Sequence, residues 1–410
     1  MSGRIVVTGL GAVSALGLSA EDTWIAARDG VGGIEKVLFD PGVNGPEGHT
    51  TAVAMVKGDA LGALEAALGR RVGNSLDSFS IYALKAAHEA LAQAGLAGGE
   101  GLGTRAGAVF GHGFAGLHTL EAGFERFYGQ KAARLHPLTV PKVMVSAPVS
   151  SIAMEFGVKG PVFGVTSACS SSGHAIAQGA MLLRAGMADV IIVGGSEAIN
   201  TPGCLRAWEG IQAMTASTCR PFSAGRDGMA IGEGAAAMIL ETQAHAEKRG
   251  AAILAELTGA GMSSDAFHWT QPSLDGALSA MGAACEQAGL LEADQILIST
   301  HGTGTPLNDK NEALAIHTLF GERAMNHPVI ATKSLHGHLI GASTALQGVI
   351  GLQALQHRLA PAIANYLGPD PDCDLNLVLG EARAIEADSL LLNAFAFGGL
   401  NTSLAFKRWG

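Results

Sequence analysis

Short apolar runs alternate with longer stretches of helical periodicity along most of the chain. The apolar runs are brief and unbroken, which is typical of strands that helices cover on both faces. One helical stretch is especially clear at 77–94, where Asp77 can cap the first turn and Gly95 follows the last. Alternating strands and helices predict βαβ units and a mostly parallel sheet. The strand candidates are residues 4–8, 106–110, 162–166, 189–193, 295–300, 329–332 and 389–393.

A faint internal repeat accompanies this alternation. The sequences VFGVTSACSSSGHAI, from residue 162, and VIATKSLHGHLIGAS, from residue 329, both read as strand, polar turn and helix. Each is followed by a strand that ends in Gly-Gly, in DVIIVGGSEA and SLLLNAFAFGGLN. The common order predicts an α/β fold of two duplicated, βαβ-rich halves that meet near 248–252. We place the N-terminal half at 1–250 and the C-terminal half at 251–410, and we expect a surface loop at 41–49.

Composition excludes several classes of protein. Of the 410 residues, 48% are hydrophobic and 15% are charged, whereas disordered chains show the opposite balance. We see no apolar run suited to a membrane-spanning helix, and the N-terminus reads as a first strand, not a signal peptide. The net charge of −10 argues against a nucleic-acid or anionic-membrane partner. The five cysteines include no CxxC pair, which disfavours disulfides and structural zinc and favours a reducing cytoplasm.

The strongest candidate for a catalytic residue is Cys169, in the sequence GVTSACSSSGH. An apolar strand runs into this turn of small residues, and a helix that ends near Gly186 follows. A helix N-terminus favours a thiolate, so we expect a lowered thiol pKa. A backbone N–H beside the turn could also stabilise an oxyanion. A lone cysteine is more often a buried, inert residue, and we interpret the other four that way: Cys204, Cys219, Cys285 and Cys373.

Three further motifs follow predicted strands, where α/β folds bind ligands. His301 begins HGTGTPLND, Lys333 ends the next strand with His338 opening a helix behind it, and 393–401 reads NAFAFGGLN. Each of these side chains taken alone is more often an ordinary core or surface residue. It is their recurrence at strand ends that indicates a site.

Two other motifs are rejected as sites. The sequence GLGAVS from Gly9 resembles the start of a dinucleotide fingerprint, but the third glycine and the later acidic residue are missing. We therefore predict an ordinary strand–helix turn there. The spacing of His336 and His338 does not predict a zinc site, and we expect no metal.

Together these motifs resemble the β-ketoacyl-acyl-carrier-protein synthases, the type I and type II condensing enzymes of the thiolase superfamily. The nucleophile, two histidines, lysine and Gly-rich end motif occur in the family order across essentially the whole chain. Within the family, stretches such as TCRPFSAGR and PDPDCDL look most similar to the nodulation-protein-E branch, which elongates specialised fatty acyl chains. The resemblance implies the thiolase fold, with layers in the order α-β-α-β-α.

The resemblance also implies a role for each residue of the central site. Cys169 would accept the acyl group, and His301 and His338 would bind the carbonyl of a malonyl thioester. Lys333 would support the two histidines. Glu312 matches the acidic residue that family members pair with this lysine–histidine cluster.

Binding residues follow from the same resemblance. Thr303 and Thr305 match threonines that contact a phosphopantetheine arm. The backbone N–H of Phe397 would complete an oxyanion hole with that of the nucleophile, and its ring would gate an acyl pocket lined by Phe114 and Trp208. The end motif departs from the family, because Ala394 and Ala396 stand where Ser and Gly are usual; we expect an altered hinge.

The implied partner is an acyl carrier protein, loaded with an acyl or a malonyl group. Its phosphopantetheine arm arrives with it, so no separate cofactor is expected. Family members are dimers in which the 110–145 region contributes to the interface, so a homodimer is expected, located in the cytoplasm. A local basic patch would dock the acidic carrier, and the candidates are Arg70, Arg71, Arg134 and Arg206.

The implied reaction is a decarboxylating Claisen condensation that elongates an acyl chain on Cys169 by two carbons from malonyl-acyl carrier protein. One alternative is a thiolase, although thiolases carry a second catalytic cysteine in the final Gly-rich segment and 393–401 has none. The other is a non-catalytic partner subunit of the chain-length-factor kind, although such subunits lose the nucleophile.

Overall fold

The computed structural model describes residues 3–39, 49–98 and 101–410. The strands are β1 (Ile5–Ser14), β2 (Ile34–Phe39), β3 (His49–Ala54), β4 (Ala106–Gly111), β5 (Val162–Val165), β6 (Val190–Glu197), β7 (Ile231–Gly232), β8 (Gly234–Thr242), β9 (Ala255–Ser264), β10 (Leu297–Ser299), β11 (Val329–Ile330), β12 (Leu359–Ala360), β13 (Arg383–Ala384), β14 (Ser389–Ala396) and β15 (Leu400–Arg408).

The α-helices are α1 (Ala20–Arg28), α2 (Ala60–Leu68), α3 (Ser78–Gln93), α4 (Leu117–Phe124), α5 (Thr139–Val143), α6 (Ala147–Phe156), α7 (Ser171–Arg184), α8 (Pro202–Gly210), α9 (Gln243–Lys248), α10 (Leu274–Ala288), α11 (Pro306–Phe320), α12 (Lys333–His336) and α13 (Ser343–His357). Helix α3 matches the clearest prediction, with Asp77 as its N-cap. The expected loop at 41–49 lies outside the described residues except for His49, where β3 begins. In the described part of the chain, no helix is long and apolar enough to cross a membrane.

The main sheet of the described chain has the strand order β11-β10-β14-β15-β9-β1-β8-β6-β4-β5. Strand β4 pairs in parallel with β5 and β6, and β8 runs antiparallel to both β6 and β1. Strand β10 likewise pairs in parallel with β11 and β14, and β15 runs antiparallel to both β14 and β9. The two halves of the sheet therefore have the same topology, as the internal repeat predicts.

Helices divide this sheet into the expected layers. Helices α3 and α6 pack on the N-terminal half, and α10 and α11 pack on the C-terminal half. Helices α7 and α13 contact each other and strands of both halves, so they form the central layer. Side chains of this layer, such as Ile176 on α7 and Leu346 on α13, are completely buried. The arrangement α-β-α-β-α is the thiolase fold.

The expectation of a mostly parallel sheet is wrong. The described pairings of each half are equally divided between parallel and antiparallel. The turn at 397–399 explains this for β14 and β15, because a connection so short joins only antiparallel strands. Sequence analysis missed β8, β9 and β15 altogether. Strand β8 has the sequence GAAAMILET, whose alanines do not favour a strand by propensity.

The Gly-Leu-Gly motif near the N-terminus is also not a turn. Gly9 and Gly11 lie inside β1, which continues to Ser14. A Cβ on Gly9 would lie 2.0 Å from the carbonyl oxygen of Ala90, and one on Gly11 would lie 2.0 Å from that of Ala86. The two glycines therefore let α3 approach the strand closely, which is a packing role.

Candidate active site

Cys169 lies on a tight elbow between β5 and α7. The 3-10 turn Ala168–Ser170 precedes the helix, and Ala168 adopts a φ of +50°. This left-handed conformation is costly for a residue with a Cβ, so the surroundings must hold it. The Ser171 hydroxyl does so by donating to the carbonyl of Ala168 at 2.6 Å and accepting from the N–H of Ser167 at 2.9 Å.

The C-terminal half brings two histidines to this elbow. His301 follows β10, and His338 follows α12. The sulfur of Cys169 and one ring nitrogen of each histidine lie within 4.8 Å of one another. The two rings meet edge to face, with centroids 5.4 Å apart. The thiol of one half therefore faces the imidazoles of the other half across the centre of the molecule.

Lys333 and Glu312 form hydrogen bonds that fix the position of His301. The lysine Nζ donates to the carbonyl of His301 at 2.5 Å and lies 3.4 Å from its Nδ1. Glu312 accepts the backbone N–H groups of His301 and Gly302 at 2.8 and 2.9 Å. Glu312 thus contacts the lysine–histidine cluster through the backbone.

Burial and the nearby lysine keep both imidazoles neutral. Desolvation, followed by the charge of Lys333, lowers the pKa of His301 and of His338 well below the ordinary value. Burial also lowers the pKa of Lys333 to about 8, against the opposing charge of Glu312. At neutral pH the site therefore holds a lysine ammonium beside two uncharged rings.

The expectation of a lowered thiol pKa is wrong for the free protein. Burial raises the pKa of Cys169 to about 11, although Lys333 and the backbone N–H groups of Phe397 and Cys169 act in the opposite direction. Desolvation of the thiolate therefore outweighs the helix N-terminus, the nearby cation and the two N–H donors. The same two backbone N–H groups therefore lie close to the sulfur of Cys169.

An entrance cavity of about 250 Å³ leads to this centre. It is lined by Cys169, both histidines and the two threonines that sequence analysis selected. The hydroxyls of Thr303 and Thr305 lie 2.7 Å apart at its wall. The cavity thus connects the thiol of Cys169 with polar side chains that could bind an amide-containing arm.

A second, side cavity of about 430 Å³ also reaches Cys169. Phe114, Trp208 and Phe397 line it, together with Cys204. The ring of Trp208 lies 6.2 Å from that of Phe114 and 6.2 Å from that of Phe397. Trp208 and Phe397 line both cavities, so these two rings lie where the side cavity and the entrance cavity meet.

The turn after β14 carries Phe397 and is held by a neighbouring loop. Gly398 and Gly399 adopt φ values of +80° and +70°. The N–H of Gly398 donates to the carbonyl of Trp269 at 2.8 Å, and Gly399 accepts from the N–H of Asp265 at 2.9 Å. Ala394 and Ala396 lie inside β14, so the positive φ angles of this turn are confined to the two glycines.

Sequence analysis missed three polar residues around the site. Ser343 lies 2.8 Å from Nδ1 of His338, and Gln347 accepts from Lys333 at 2.7 Å. Glu197 accepts backbone N–H groups from both halves, including those of Gly113 and Gly341. A signal existed, because Gln347 is a polar residue within the apolar stretch ALQGVIGL and Glu197 ends an apolar strand.

The four arginines expected to dock a carrier protein lie on the surface, and the expectation of no metal concerns the centre of the site. The four candidate arginines are exposed, and two already form ion pairs, Arg70 with Glu155 and Arg206 with Glu209. Within the described ranges, one cluster of three or more Cys, His, Asp or Glu side chains is close enough to share an ion, and it consists of Cys169, His301 and His338. The ammonium of Lys333 would repel a cation there.

Comparisons with known proteins identify the family to which the chain belongs. The model of the β-ketoacyl synthase N-terminal domain matches residues 2–246, and that of the C-terminal domain matches 254–367. Nodulation protein E of Rhizobium meliloti (strain 1021) is 41% identical over 408 residues, 100% of both chains. The 3-oxoacyl-[acyl-carrier-protein] synthase 2 of Staphylococcus aureus (strain COL) is 33% identical over 416 residues, 99% of this chain and 98% of the relative.

A solved structure shows the same fold. The ishigamide ketosynthase/chain length factor superimposes with a TM-score of 0.92 over 100% of both chains, at 28% identity. The two family models thus cover most of the chain, and the two curated relatives and the structural neighbour cover 99–100% of it. The protein therefore belongs to the β-ketoacyl synthase family of condensing enzymes.

Proposed function

We propose that the protein is a β-ketoacyl-acyl-carrier-protein synthase that elongates a fatty acyl chain by two carbons. The reaction is a decarboxylating Claisen condensation between an acyl group on Cys169 and malonyl-acyl carrier protein. One observation carries the proposal: the sulfur of Cys169 and the ring nitrogens of His301 and His338 lie within 4.8 Å of one another. A nucleophile and two carbonyl-binding donors thus share one site.

The first step transfers an acyl group from a carrier thioester to Cys169. The new bond is the Cys169 thioester, the broken bond is the carrier thioester, and the thiol proton ends on the released carrier. Thioester exchange is nearly balanced in energy, and sulfur is a strong nucleophile. The N–H groups of Cys169 and Phe397 stabilise the tetrahedral oxyanion, and the acyl chain occupies the side cavity.

The second step loses CO₂ from the malonyl thioester and makes an enolate at neutral pH. His301 and His338 each donate an N–H to the enolate oxygen, and one such preorganised donor is typically worth about 2.7–4 kcal/mol. Both rings must be neutral, because one nitrogen of each ring accepts a hydrogen bond from the protein while the other donates to the substrate. Lys333 lies at Nδ1 of His301, and Ser343 lies at Nδ1 of His338, which leaves Nε2–H for the substrate.

The third step joins the two carbons. The enolate carbon attacks the Cys169 thioester, the same pair of backbone N–H groups holds the second oxyanion, and its collapse breaks the C–S bond. The β-ketoacyl group leaves on the carrier. The arm enters through the entrance cavity, where Thr303 and Thr305 contact it, so the enzyme needs no cofactor or metal of its own.

The acyl carrier protein is the proposed macromolecular partner, with the four candidate arginines as its docking residues. A homodimer is proposed from the apolar surface around β5, an edge strand of the main sheet. Exposed side chains there include Phe124, Val140, Met144, Met154 and Phe163. A reducing cytoplasm suits a chain whose five cysteines are all free.

Acyl transfer to a mapped residue tests this function. Acyl-carrier protein is mixed with the enzyme, and peptide mass spectrometry locates the acyl group. The proposal expects it on Cys169 and expects no acylation of a Cys169→Ala variant, while Cys204→Ser remains acylated. An unacylated Cys169 in the wild type would indicate a non-catalytic partner subunit, and acylation elsewhere would overturn the assignment.

A further inference from the structure

Gln347 ties the lysine of the active site to the strand end that carries His301. It is fully buried on α13, in the central layer. Its Nε2 donates to the carbonyl of Thr300 at 2.5 Å, and its Oε1 accepts from Nζ of Lys333 at 2.7 Å. A carbonyl can only accept and an ammonium can only donate, so this amide has one satisfactory orientation.

The ammonium of Lys333 then has one acceptor for each of its three protons. These are Oε1 of Gln347, the carbonyl oxygen of His301 at 2.5 Å and Nδ1 of His301 at 3.4 Å. An ammonium cannot accept, so Nδ1 must be the unprotonated nitrogen of the ring. The neutral imidazole therefore carries its proton on Nε2. A neutral amine would have a lone pair for Nδ1–H, and the ring would take the opposite tautomer.

The charge of Lys333 depends on groups from several elements. Glu312 and Asp309 on α11 favour the charged form, and Cys169 and Cys219 would do so only as thiolates. Burial opposes it, and the rings of His301, His336 and His338 lie in its field. Among the described residues, no carboxylate lies within ion-pair distance of Nζ, and the nearest side-chain acceptor is the neutral amide of Gln347.

We propose that Gln347 is a positioning residue that fixes the tautomer of His301: it holds the ammonium of Lys333 against Nδ1 and so keeps Nε2–H available for the thioester oxygen. Because the side-chain amide of Gln347 is neutral, it binds the ammonium of Lys333 without opposing its deprotonation, as a carboxylate would. Alkaline pH therefore switches His301 from donor to acceptor. This inference rests on the proposed function, in which His301 donates to the enolate.

Two variants and one control test this role through the pH profile of malonyl-carrier decarboxylation. Gln347→Glu places a carboxylate beside the ammonium, so the alkaline limb should move up by about one pH unit or more. Gln347→Leu removes a hydrogen bond to a charged group, so the rate should fall about tenfold or more and the limb should move down. Gln353→Leu is the control, since Gln353 is buried on the same helix but donates to the carbonyl of Ala20.

The proposal is overturned if the Gln347→Glu profile superimposes on that of the wild type, or if Gln347→Leu behaves like Gln353→Leu. Nitrogen-15 NMR of labelled histidine rings reads the tautomer without any activity, with His301→Ala identifying the signal. The wild type should show protonated Nε2, and Gln347→Leu should not. A wild type without decarboxylase activity but with this tautomer dependence would overturn the proposed function alone. An active wild type whose tautomer ignores Gln347 would overturn the positioning role alone.

Discussion

The hydroxyl oxygen of Ser343 lies 2.8 Å from Nδ1 of His338, just as Nζ of Lys333 lies beside Nδ1 of His301. Each imidazole is therefore held by its Nδ1 edge, by a hydroxyl in one case and an ammonium in the other. In the proposed function, Nε2 of each ring then donates to the substrate. The two histidines come from consecutive strand–helix units of the C-terminal half, so the fold itself pairs them.

Replacing either histidine should damage decarboxylation. We expect His301→Ala and His338→Ala each to lower the rate of malonyl-carrier decarboxylation about 10²-fold or more, because each removes one oxyanion donor. The rate of CO₂ release measures this, with His88→Ala as a control on an outer helix. Near wild-type rates in both variants would contradict the assignment of two donors.

Replacing the nucleophile should separate the two half-reactions. We expect Cys169→Ala to abolish condensation and to retain malonyl decarboxylation, because the two imidazoles bind the malonyl carbonyl without help from the thiol. β-Ketoacyl product and CO₂ are measured in the same reaction, with Cys285→Ala, on α10 and outside both cavities, as the matched control. Condensation by Cys169→Ala near the wild-type rate would show that the acyl-enzyme step is wrong.

Alkylation of the free enzyme should depend steeply on pH. Burial raises the pKa of Cys169 to about 11, so little thiolate is present at neutral pH. Because the thiolate is the reactive form, the rate of iodoacetamide labelling should rise about tenfold per pH unit between pH 6.5 and 9. Peptide mapping gives the rate at this site. A plateau near pH 7 would instead indicate a stabilised thiolate.

Phe114 should limit the length of the acyl chain. Its ring lines the side cavity next to Trp208. Overpacking a cavity typically costs about 1–3 kcal/mol, which offsets the roughly 0.8 kcal/mol gained per buried methylene. We expect short or medium primers to be preferred, and Phe114→Ala or Phe114→Gly to accept longer ones. Phe267→Ala is the control. If the wild type extends long saturated primers as fast as short ones, Phe114 is not the limiting wall.

Carrier docking should be weak and sensitive to salt, because the chain is net negative and two of the candidate arginines have ion partners. We expect charge reversal at Arg70, Arg71, Arg134 or Arg206 to raise the KM for the carrier at low salt. Arg105→Glu is the control, because Arg105 directly precedes β4 and is not one of the four candidates. A KM that is unaffected by salt and by all four reversals would contradict this docking surface.

The sequence predicts the fold and the centre of the site for physical reasons. Residues such as Cys169, His301 and Lys333 follow apolar strands, and strand ends are recognisable from local pattern. Parallel strands β10 and β11 bring the ends that carry His301 and Lys333 to one edge. Packing of the two halves against each other then brings Cys169 to these side chains. The division of the chain near 248–252 into two domains remains a prediction.

What the sequence did not predict depends on long-range packing. The pKa of Cys169 depends on burial by residues from both halves, which local pattern does not report. Gln347 and Ser343 acquire their roles only when α13 packs between the sheet halves. The alanines of β8 favour a helix by propensity, and tertiary pairing with β1 and β6 overrides that preference.

A reconstituted condensation assay tests the central claim most directly. The enzyme is supplied with acyl carrier proteins of graded chain length and with malonyl-carrier protein labelled with carbon-13 at C1 and C2. Mass spectrometry should find β-ketoacyl-carrier products two carbons longer than each accepted primer, with both new carbons labelled and with one CO₂ released per product. The account is contradicted if the labelled malonyl-carrier protein yields no two-carbon extension with any primer.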